Sequence, residues 1–214
     1  MADATALHLT EHEILALLAF NDTESCTITR DIFRLTPHAD NADLQRAGLS
    51  TLLVRDLAEL DGEDIRVKGP TGFLAAVMAT AGEWLEIALI TPSTNHVLFA
   101  VSSAGGAFVA NVSGRATHRF TPLKNEAPIL SFGLDAASHF LQGDNAARPA
   151  AAQIKHHGLG VEARTANLMV DESGAWHLAT GEGDQLAKRD VSSSDALELF
   201  GQALTLDADA KASE

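Results

Sequence analysis

The N-terminal part of the chain places apolar residues at the period of a helix. Across residues 11–20 the apolar side chains fall on one helix face, and Thr10 with Glu13 forms a capping box. This pattern predicts a helix that begins at Glu11. After Phe20, the stretch NDTESCTIT is too polar and too rich in β-branched residues to continue that helix.

A second helix is predicted from four leucines at spacings of four, four and three residues, which place them on one core-facing side. Asp61 and Gly62 are suited to end it, and the residues after them start a strand. The reading helix and wing of a winged-helix DNA-binding protein follow the same order. A third, short helix is predicted to follow Pro70 and to close on Gly82. The four leucines are Leu49, Leu53, Leu57 and Leu60.

Beyond Gly82 the pattern changes to short runs rich in β-branched and aromatic residues, separated by turn residues. The runs are EWLEIALI, HVLFAVS, AFVANV and ATHRF, and the turns contain residues 92–95, 105–106 and 113–114. We therefore predict an antiparallel meander, followed by a helix over residues 132–141.

The C-terminal part is expected to repeat this theme on a smaller scale. ARTANLMV and AWHLATG flank a turn at residues 171–174, and Ser192, Ser193 or Ser194 is placed to cap a last helix, DALELFGQALTL. The predicted fold class is α+β, with a winged-helix-like N-terminal part followed by an antiparallel β-meander flanked by helices. The predicted divisions are an α+β domain at 1–142, a linker at 143–153, a β-hairpin plus helix at 154–206 and a solvated tail at 207–214.

Charge and length narrow the classes of partner. The chain has 214 residues, and its 29 acidic and 15 basic residues give a net charge of -14. A field of that sign repels the phosphates of nucleic acids and anionic lipids, so we expect no nucleic acid partner. No apolar run approaches the roughly 20 residues of a membrane span, and the residues before Arg30 lack the features of a secretory signal. We expect a cytoplasmic protein with no membrane insertion.

The histidines form no metal-binding pattern. His8 precedes the helix that carries His12, so their spacing of four is not that of two ligands on one helix. His156 and His157 are adjacent and are expected to be surface residues that point to opposite faces of a strand. Other histidines lie in strand-like or helix-like segments, where a structural histidine with satisfied hydrogen bonds is expected. They are His96, His118, His139 and His177.

Signatures of nucleophilic and nucleotide chemistry are missing from the sequence. There is no GxSxG elbow and no Walker A run, and the single cysteine, Cys26, is expected to be a small buried hydrophobic residue. The glycines of SSAGGAF lie between two strands, so a hairpin turn explains them better than a phosphate-binding loop. We predict no catalytic residue, no metal site and no cofactor.

A helix that reads DNA carries Arg, Lys, Asn or Gln on its outward face. Residues 47–60 offer Arg55 alone among the basic residues, next to Asp56, and the predicted wing carries more acidic than basic residues. The winged-helix-like layout is therefore interpreted as scaffold, and no DNA binding is expected.

Large aromatic residues are the usual anchors of protein interfaces. Strand aromatics pack inward more often than outward, so we expect each of the four large candidates to belong to the core. No partner-binding residue is assigned. The candidates are Trp84, Phe108, Phe120 and Trp176.

Taken in order, LTEHEILALLA, LLVRDLAELDG, GFLAAVMATAG, EWLEIALI and HVLFAVSSAGGAFVANV resemble the EspG family of type VII secretion-associated proteins over residues 9–141. The resemblance lies in pattern, and it carries over no site residue. It implies a cytoplasmic chaperone that binds the tips of helical secretion substrates. The leading hypothesis is a non-enzymatic, cytoplasmic protein-binding module with a protein partner. The alternatives are a winged-helix-like regulator that binds a protein or small ligand, and an enzyme whose site is assembled from residues distant in sequence.

Overall fold

A computed structural model describes residues 6–113, 116–123, 127–143 and 147–207. Within those residues the chain forms six α-helices and eleven strands, which confirms the α+β class. The helices are α1 (Glu11–Ala19), α2 (Glu24–Ile32), α3 (Ala42–Val54), α4 (Gly69–Ala79), α5 (Ile129–Gln142) and α6 (Ala196–Leu204). The strands are β1 (Leu7–Thr10), β2 (Ala58–Asp61), β3 (Asp64–Val67), β4 (Ala81–Thr91), β5 (Thr94–Ser103), β6 (Gly106–Ser113), β7 (Thr117–Leu123), β8 (Ala150–Gly158), β9 (Val161–Val170), β10 (Trp176–Thr180) and β11 (Ala187–Val191).

The strands form one large sheet and one separate hairpin. Among the described residues, nine strands follow the order β1-β7-β6-β5-β4-β8-β9-β10-β11, and β2 pairs with β3 alone. The strand pairs are antiparallel, as predicted for the meander. The chain divides into two compact units, unit 1 with Met1–Gly82 and Val101–Lys124, and unit 2 with Glu83–Ala100 and Asn125–Glu214.

Helix α1 of unit 1 begins at the predicted capping box. The Oγ1 atom of Thr10 accepts a hydrogen bond from the backbone N–H of Glu13 (3.2 Å), and the backbone N–H of Thr10 donates to Oε2 of Glu13 (2.8 Å). Glu13 is fully buried, and Nη1 of Arg55 donates to both of its oxygens, at 2.8 and 2.7 Å. The Arg55 side chain is 40% exposed, but removing it would leave the buried carboxylate of Glu13 without this partner, so the pair fixes α1 to the C-terminal end of α3.

Helix α2 was not predicted. The stretch NDTESCTIT does interrupt α1, but its second half begins a new helix at Glu24. The side chain of Thr23 caps that helix by accepting a hydrogen bond from the backbone N–H of Cys26 (3.1 Å). Cys26 and Ile32 are buried in unit 1, and their burial outweighs the weak helix propensity of the threonines between them.

Helix α3 is shorter than predicted and does not reach Leu60, which lies on β2. The backbone N–H of Asp56 donates to the carbonyl of Leu53 (3.1 Å). The N–H of Leu57 donates to the carbonyl of Leu52 (2.9 Å), and this pair of bonds is a standard helix termination. Asp56 takes the left-handed conformation that this motif needs, at φ +58°, and leucine spacing does not reveal that. The fully buried leucine of α3 is Leu52, whereas Leu60 is 67% exposed.

The hairpin of β2 and β3 directly follows α3, so the helix-then-wing layout is present. Gly62 lies in the turn of this hairpin, at φ +69°, instead of ending a helix. The third predicted helix is α4, which ends at Ala79 rather than at Gly82, because β4 begins at Ala81.

In unit 2, helices α5 and α6 pack on the inner face of strands β4, β8, β9 and β10. Strand β8 begins at Ala150, inside the range 143–153 that was predicted as a linker. Residues 144–146 of that range, and residues 208–214 of the predicted tail, lie outside the described residues. The predicted domain boundaries stay a prediction. The larger side chains of the core in unit 2 are Leu85, Ile87, Leu89, Ile129, Leu141, Ile154, Leu168, Val170, Leu178, Phe200 and Leu204.

The C-terminal end of unit 2 differs from expectation in two details. Strand β11 was not predicted, because its residues lack the alternation of apolar and polar positions. The predicted serine cap of the last helix is wrong, since Asp195 is the N-cap residue of α6. The side chain of Ser192 instead accepts a hydrogen bond from the backbone N–H of Asp195 (3.2 Å).

Candidate functional site

Clusters of metal-binding side chains are absent from the described part of the chain, in which no group of three or more His, Cys, Asp or Glu could hold a metal ion. His8 lies on β1 and His12 on α1, the separation expected from the capping box between them. Cys26 is buried in α2 and does not reach the surface.

The prediction of two surface histidines on β8 is wrong for His156, which is buried. Its Nδ1 lies 2.9 Å from the carbonyl oxygen of Leu204, and its Nε2 lies 3.8 Å from Oε2 of Glu83. The interaction with His156 holds the pKa of Glu83 below its usual value. On the opposite face of the strand, Nε2 of His157 lies 2.8 Å from Oε1 of Glu86. His156 therefore ties the end of α6 to β8, which is a structural role.

His177 on β10 bridges two carboxylates. Its Nδ1 lies 2.7 Å from Oδ1 of Asp190, and its Nε2 lies 3.1 Å from Oδ2 of Asp171. The bonds to Asp171 and then to Asp190 raise the pKa of His177 because both favour the charged imidazolium. Ser173 donates to Asp171 (2.7 Å), so the carboxylate stands between the serine and the histidine. A catalytic triad needs the histidine beside the serine, so this cluster links β10 to β11 and to the β9–β10 turn instead.

His118 on β7 is buried in unit 1, and neither ring nitrogen has a hydrogen-bond partner among the described residues. This departs from the expected role of a satisfied structural histidine. Its ring packs edge-on against Phe33 (5.8 Å between centroids), and its Nε2 lies 3.8 Å from Oε1 of Glu11. Burial lowers the pKa of His118 more than Glu11 raises it, so the ring is held neutral.

The helix and hairpin that suggested a DNA reader carry four basic residues, and each is paired with a carboxylate. Two of these pairs lie on the hairpin, where Nη2 of Arg66 is 2.6 Å from Oε1 of Glu59, and Lys68 bonds to Asp56. Phosphate contacts would have to replace these pairs. The four pairs are Arg46 with Asp43, Arg55 with Glu13, Arg66 with Glu59, and Lys68 with Asp56.

One face of the β2–β3 hairpin is apolar, and its residues become more exposed towards the turn. Ala58 is buried opposite Val67, and the next pair on that face is Leu60 opposite Ile65. Leu60 is exposed, and Val54 at the end of α3 is 87% exposed. We call Leu60 and Ile65 the hairpin patch. It is an apolar surface, and the Glu59–Arg66 ion pair lies on the opposite face of the same hairpin.

Unit 2 has a groove of about 470 Å3 where β10 ends, lined by residues of β8, β9 and the 181–185 turn. The groove contains two basic residues, Lys155 and Arg164, and each is paired with a carboxylate. Nζ of Lys155 lies 2.9 Å from Oε1 of Glu182, and Arg164 bonds to Asp207. The Oγ1 atom of Thr165 also donates to Glu182 (2.6 Å), so the groove holds paired charges and selects no charged ligand.

The aromatic candidates belong largely to the core, as predicted. Trp84, Phe108 and Phe120 are fully buried, and Phe108 packs edge-on against Phe120 with 5.4 Å between ring centroids. Trp176 is half-buried on β10. The most exposed large apolar residues are the aliphatic Val54, Leu60 and Leu186, and aromatic content does not find them.

Strand β11 at the end of the large sheet is exposed at four of its five residues. Leu186, immediately before it, is 57% exposed. Within the described residues, Lys188 and Arg189 form no ion pair or side-chain hydrogen bond. Sequence reasoning missed these positions, and their signal is a polar segment with adjacent cations in an acidic chain.

No described helix combines the length and apolar character needed to cross a membrane. No protein-family model matches the sequence, and no curated protein matches it. Among solved structures, the chain is similar to the type VII secretion system chaperone EspG5 of Mycobacterium tuberculosis, solved in complex with a PE25–PPE41 dimer. The two chains are 10% identical, the likeness covers 95% of this chain and 98% of that one, and the TM-score is 0.56. The resemblance predicted from residues 9–141 is thus confirmed at the level of fold, and the chain shares the fold of an EspG chaperone.

Proposed function

We propose that the protein is a non-enzymatic, cytoplasmic chaperone that binds a helical secreted protein. One observation carries this proposal: the fold likeness to a type VII secretion chaperone extends over 95% of the chain, well beyond the residues 9–141 that the sequence pattern covered. That neighbour was solved with a protein dimer bound. A whole-chain likeness supports the same kind of task more strongly than a single shared motif, although fold by itself does not assign function.

The hairpin patch is the surface proposed to receive the apolar face of the partner helix. Isolated exposed apolar residues are common, but Leu60 and Ile65 are cross-strand neighbours, which continue the face that carries the buried Ala58 and the half-buried Val67. An amphipathic helix presents apolar anchors at spacings of three and four residues, which fit a short apolar strip.

Affinity capture with mass spectrometry tests the proposal, using the tagged protein at its natural level in its native cells. We expect a helical secreted protein to be enriched, and we expect Leu60→Asp to abolish its capture without lowering the melting temperature. Asn111→Asp is the matched control, because it adds the same charge at an exposed strand position of unit 1 away from the hairpin patch. It should leave capture unchanged.

A thermal-shift scan with divalent metals and nucleotides accompanies the capture experiment. If no protein is captured and a metal or nucleotide raises the melting temperature by several degrees, the chaperone hypothesis is rejected. That result would favour an enzyme or a ligand-binding regulator. The regulator has one observation of its own, namely the winged-helix-like order of α3, β2 and β3. A regulator that binds protein through this region would be captured with a transcription component instead of a secreted protein.

A further inference from the structure

The large sheet has two edge strands, β1 and β11. They differ in whether their outward backbone groups have a hydrogen-bond partner. At β1, the carbonyl oxygen of His8 accepts a hydrogen bond from Nη2 of Arg55 (2.8 Å). The same guanidinium pairs with the buried Glu13, so its position is fixed. Natural proteins block exposed edges in this way, because an open edge pairs with any available strand. Edge β1 is therefore blocked by Arg55.

At β11 no comparable block is present within the described residues. Its backbone pairs with β10 on one side, from Ala187 opposite Thr180 to Val191 opposite Trp176. The described part of the chain supplies no hydrogen bond to its other side. An unpaired strand edge is the binding surface used in β-augmentation, in which an extended peptide adds a strand to a sheet.

The free charges of β11 are both positive. Asp190 is engaged by His177 at 2.7 Å, and Lys188 and Arg189 are the charged residues of the strand that have no ion pair among the described residues. Arg189 lies opposite Leu178, whose side chain is in the core on the helix-bearing face, whereas Lys188 lies opposite Ala179 and points to the other face. A strand added here meets one cation on each of its faces. This is a local positive edge on a chain of net charge -14.

We propose that β11 is a docking edge for an extended, acidic segment of a partner protein. Backbone hydrogen bonds would hold the segment as a tenth strand, and carboxylates on both of its faces would pair with Lys188 and Arg189. The exposed side chain of Leu186 adds an apolar contact at the start of the edge. The proposal rests on the proposed function only in taking the partner to be a protein, since this site is separate from the hairpin patch.

A second copy of the chain fits this edge less well. Antiparallel self-pairing about Arg189 places Lys188 opposite Asp190 of the other copy, but Asp190 is already paired with His177. The same register brings the two Arg189 side chains directly opposite each other, and like charges at that position destabilise the pair. Each copy also carries a net charge of -14. An acidic segment places no arginine opposite Arg189 and does not need Asp190, and it brings fewer negative charges than a second copy.

The test uses the full chain and a fluorescein-labelled synthetic peptide with a core of alternating Val and Thr that contains two adjacent Glu residues. A second peptide replaces both Glu residues with Lys. We expect the Glu peptide to bind in an anisotropy titration, and to slow amide hydrogen exchange selectively over residues 187–191. The Lys peptide should bind at least about fivefold more weakly, because each cross-strand ion pair becomes a like-charge pair.

Lys188→Glu combined with Arg189→Glu should exchange the preferences of the two peptides. This outcome cannot arise from unfolding, which would abolish both. Arg119→Glu is the matched control, because Arg119 is exposed and without an ion pair among the described residues, but lies on the inner strand β7. It should leave both affinities unchanged.

Several results would overturn the proposal. Equal loss of affinity in Arg119→Glu would reduce the effect to general surface charge, and unchanged exchange over residues 187–191 would exclude strand addition. Dimers of the free protein that protect β11 would identify a second copy as the occupant. If cells yield a secreted partner that the double variant captures equally well, with unchanged exchange at β11, this inference fails while the proposed chaperone function stands. If cells yield no protein partner, the function fails, and the peptide titration still decides the docking edge.

Discussion

Gly48→Ala tests how closely α1 and α3 approach each other. A Cβ atom at Gly48 would lie 1.9 Å from the carbonyl oxygen of His12 and 2.4 Å from its carbon. Non-bonded heavy atoms reach their optimum at about 3.5–4 Å, so the helices would have to separate by roughly 1.5 Å. The obstacle is backbone and cannot rotate away. A gap of 0.5–1 Å already removes about a quarter to a half of the van der Waals energy of each contact. Separation of the helices would therefore weaken the packing of Ile14 and Leu18, which are fully buried side chains of α1.

The expected loss lies at the upper end of overpacking costs, about 3 kcal/mol. Alanine returns at most about 1 kcal/mol through its better helix propensity. A net loss of about 2–3 kcal/mol lowers the melting temperature by roughly 4–12 °C in a chain of this size. Calorimetry of both proteins measures this shift. Gly82→Ala is the control, because its Cβ meets nothing within 4 Å. A Gly48→Ala protein that melts with the wild type would show that α1 and α3 are not in contact as described.

Three further outcomes are expected. Leu52→Ala should destabilise the protein by about 2–5 kcal/mol in denaturant unfolding, whereas Leu60→Ala should change it little, since Leu60 is mostly exposed. The bonds to Asp171 and Asp190 raise the pKa of His177 above its unfolded value of about 6.5. The stability they contribute is therefore complete below that pH and is lost as pH rises through the folded pKa. The melting temperatures of wild type and His177→Gln should converge as the pH is raised, and a constant difference would contradict this. Duplex DNA should show no sequence-selective, salt-sensitive shift in a gel assay; a sub-micromolar shift would refute the charge argument.

The sequence predicted those elements of the fold whose signals are local. The start of α1 rests on Thr10 and Glu13, which lie within one helical turn. The meander follows from period-two runs between turn residues. The end of α3 could not be predicted in this way, because the leucine spacing continues past the left-handed Asp56 that ends the helix. Helix α2 was missed because its stability comes from burying Ile32 and Cys26, a tertiary effect that outweighs local propensity.

The candidate surfaces were less accessible to sequence reasoning than the fold. Leu60 looks like a core residue in the helical pattern, but the break at Asp56 places it on β2, where it is exposed. His156 resembled a surface histidine, but its partner is the carbonyl of Leu204, which is distant in sequence. Edge strands are polar because they must resist aggregation, and for that reason the pattern that reveals inner strands does not reveal β11.

The guanidinium of Arg55 has a consequence for assembly as well as for stability. In the language of polymer chemistry, a sheet that can be extended only at β11 is monofunctional: it joins one further strand or sheet, and growth then stops. A sheet with two open edges is bifunctional and can propagate into a filament. By occupying the carbonyl of His8, Arg55 keeps each molecule at the end of any such chain. Together with Glu13, which accepts from the N–H of Thr10, Arg55 thus favours complexes of limited size over polymers.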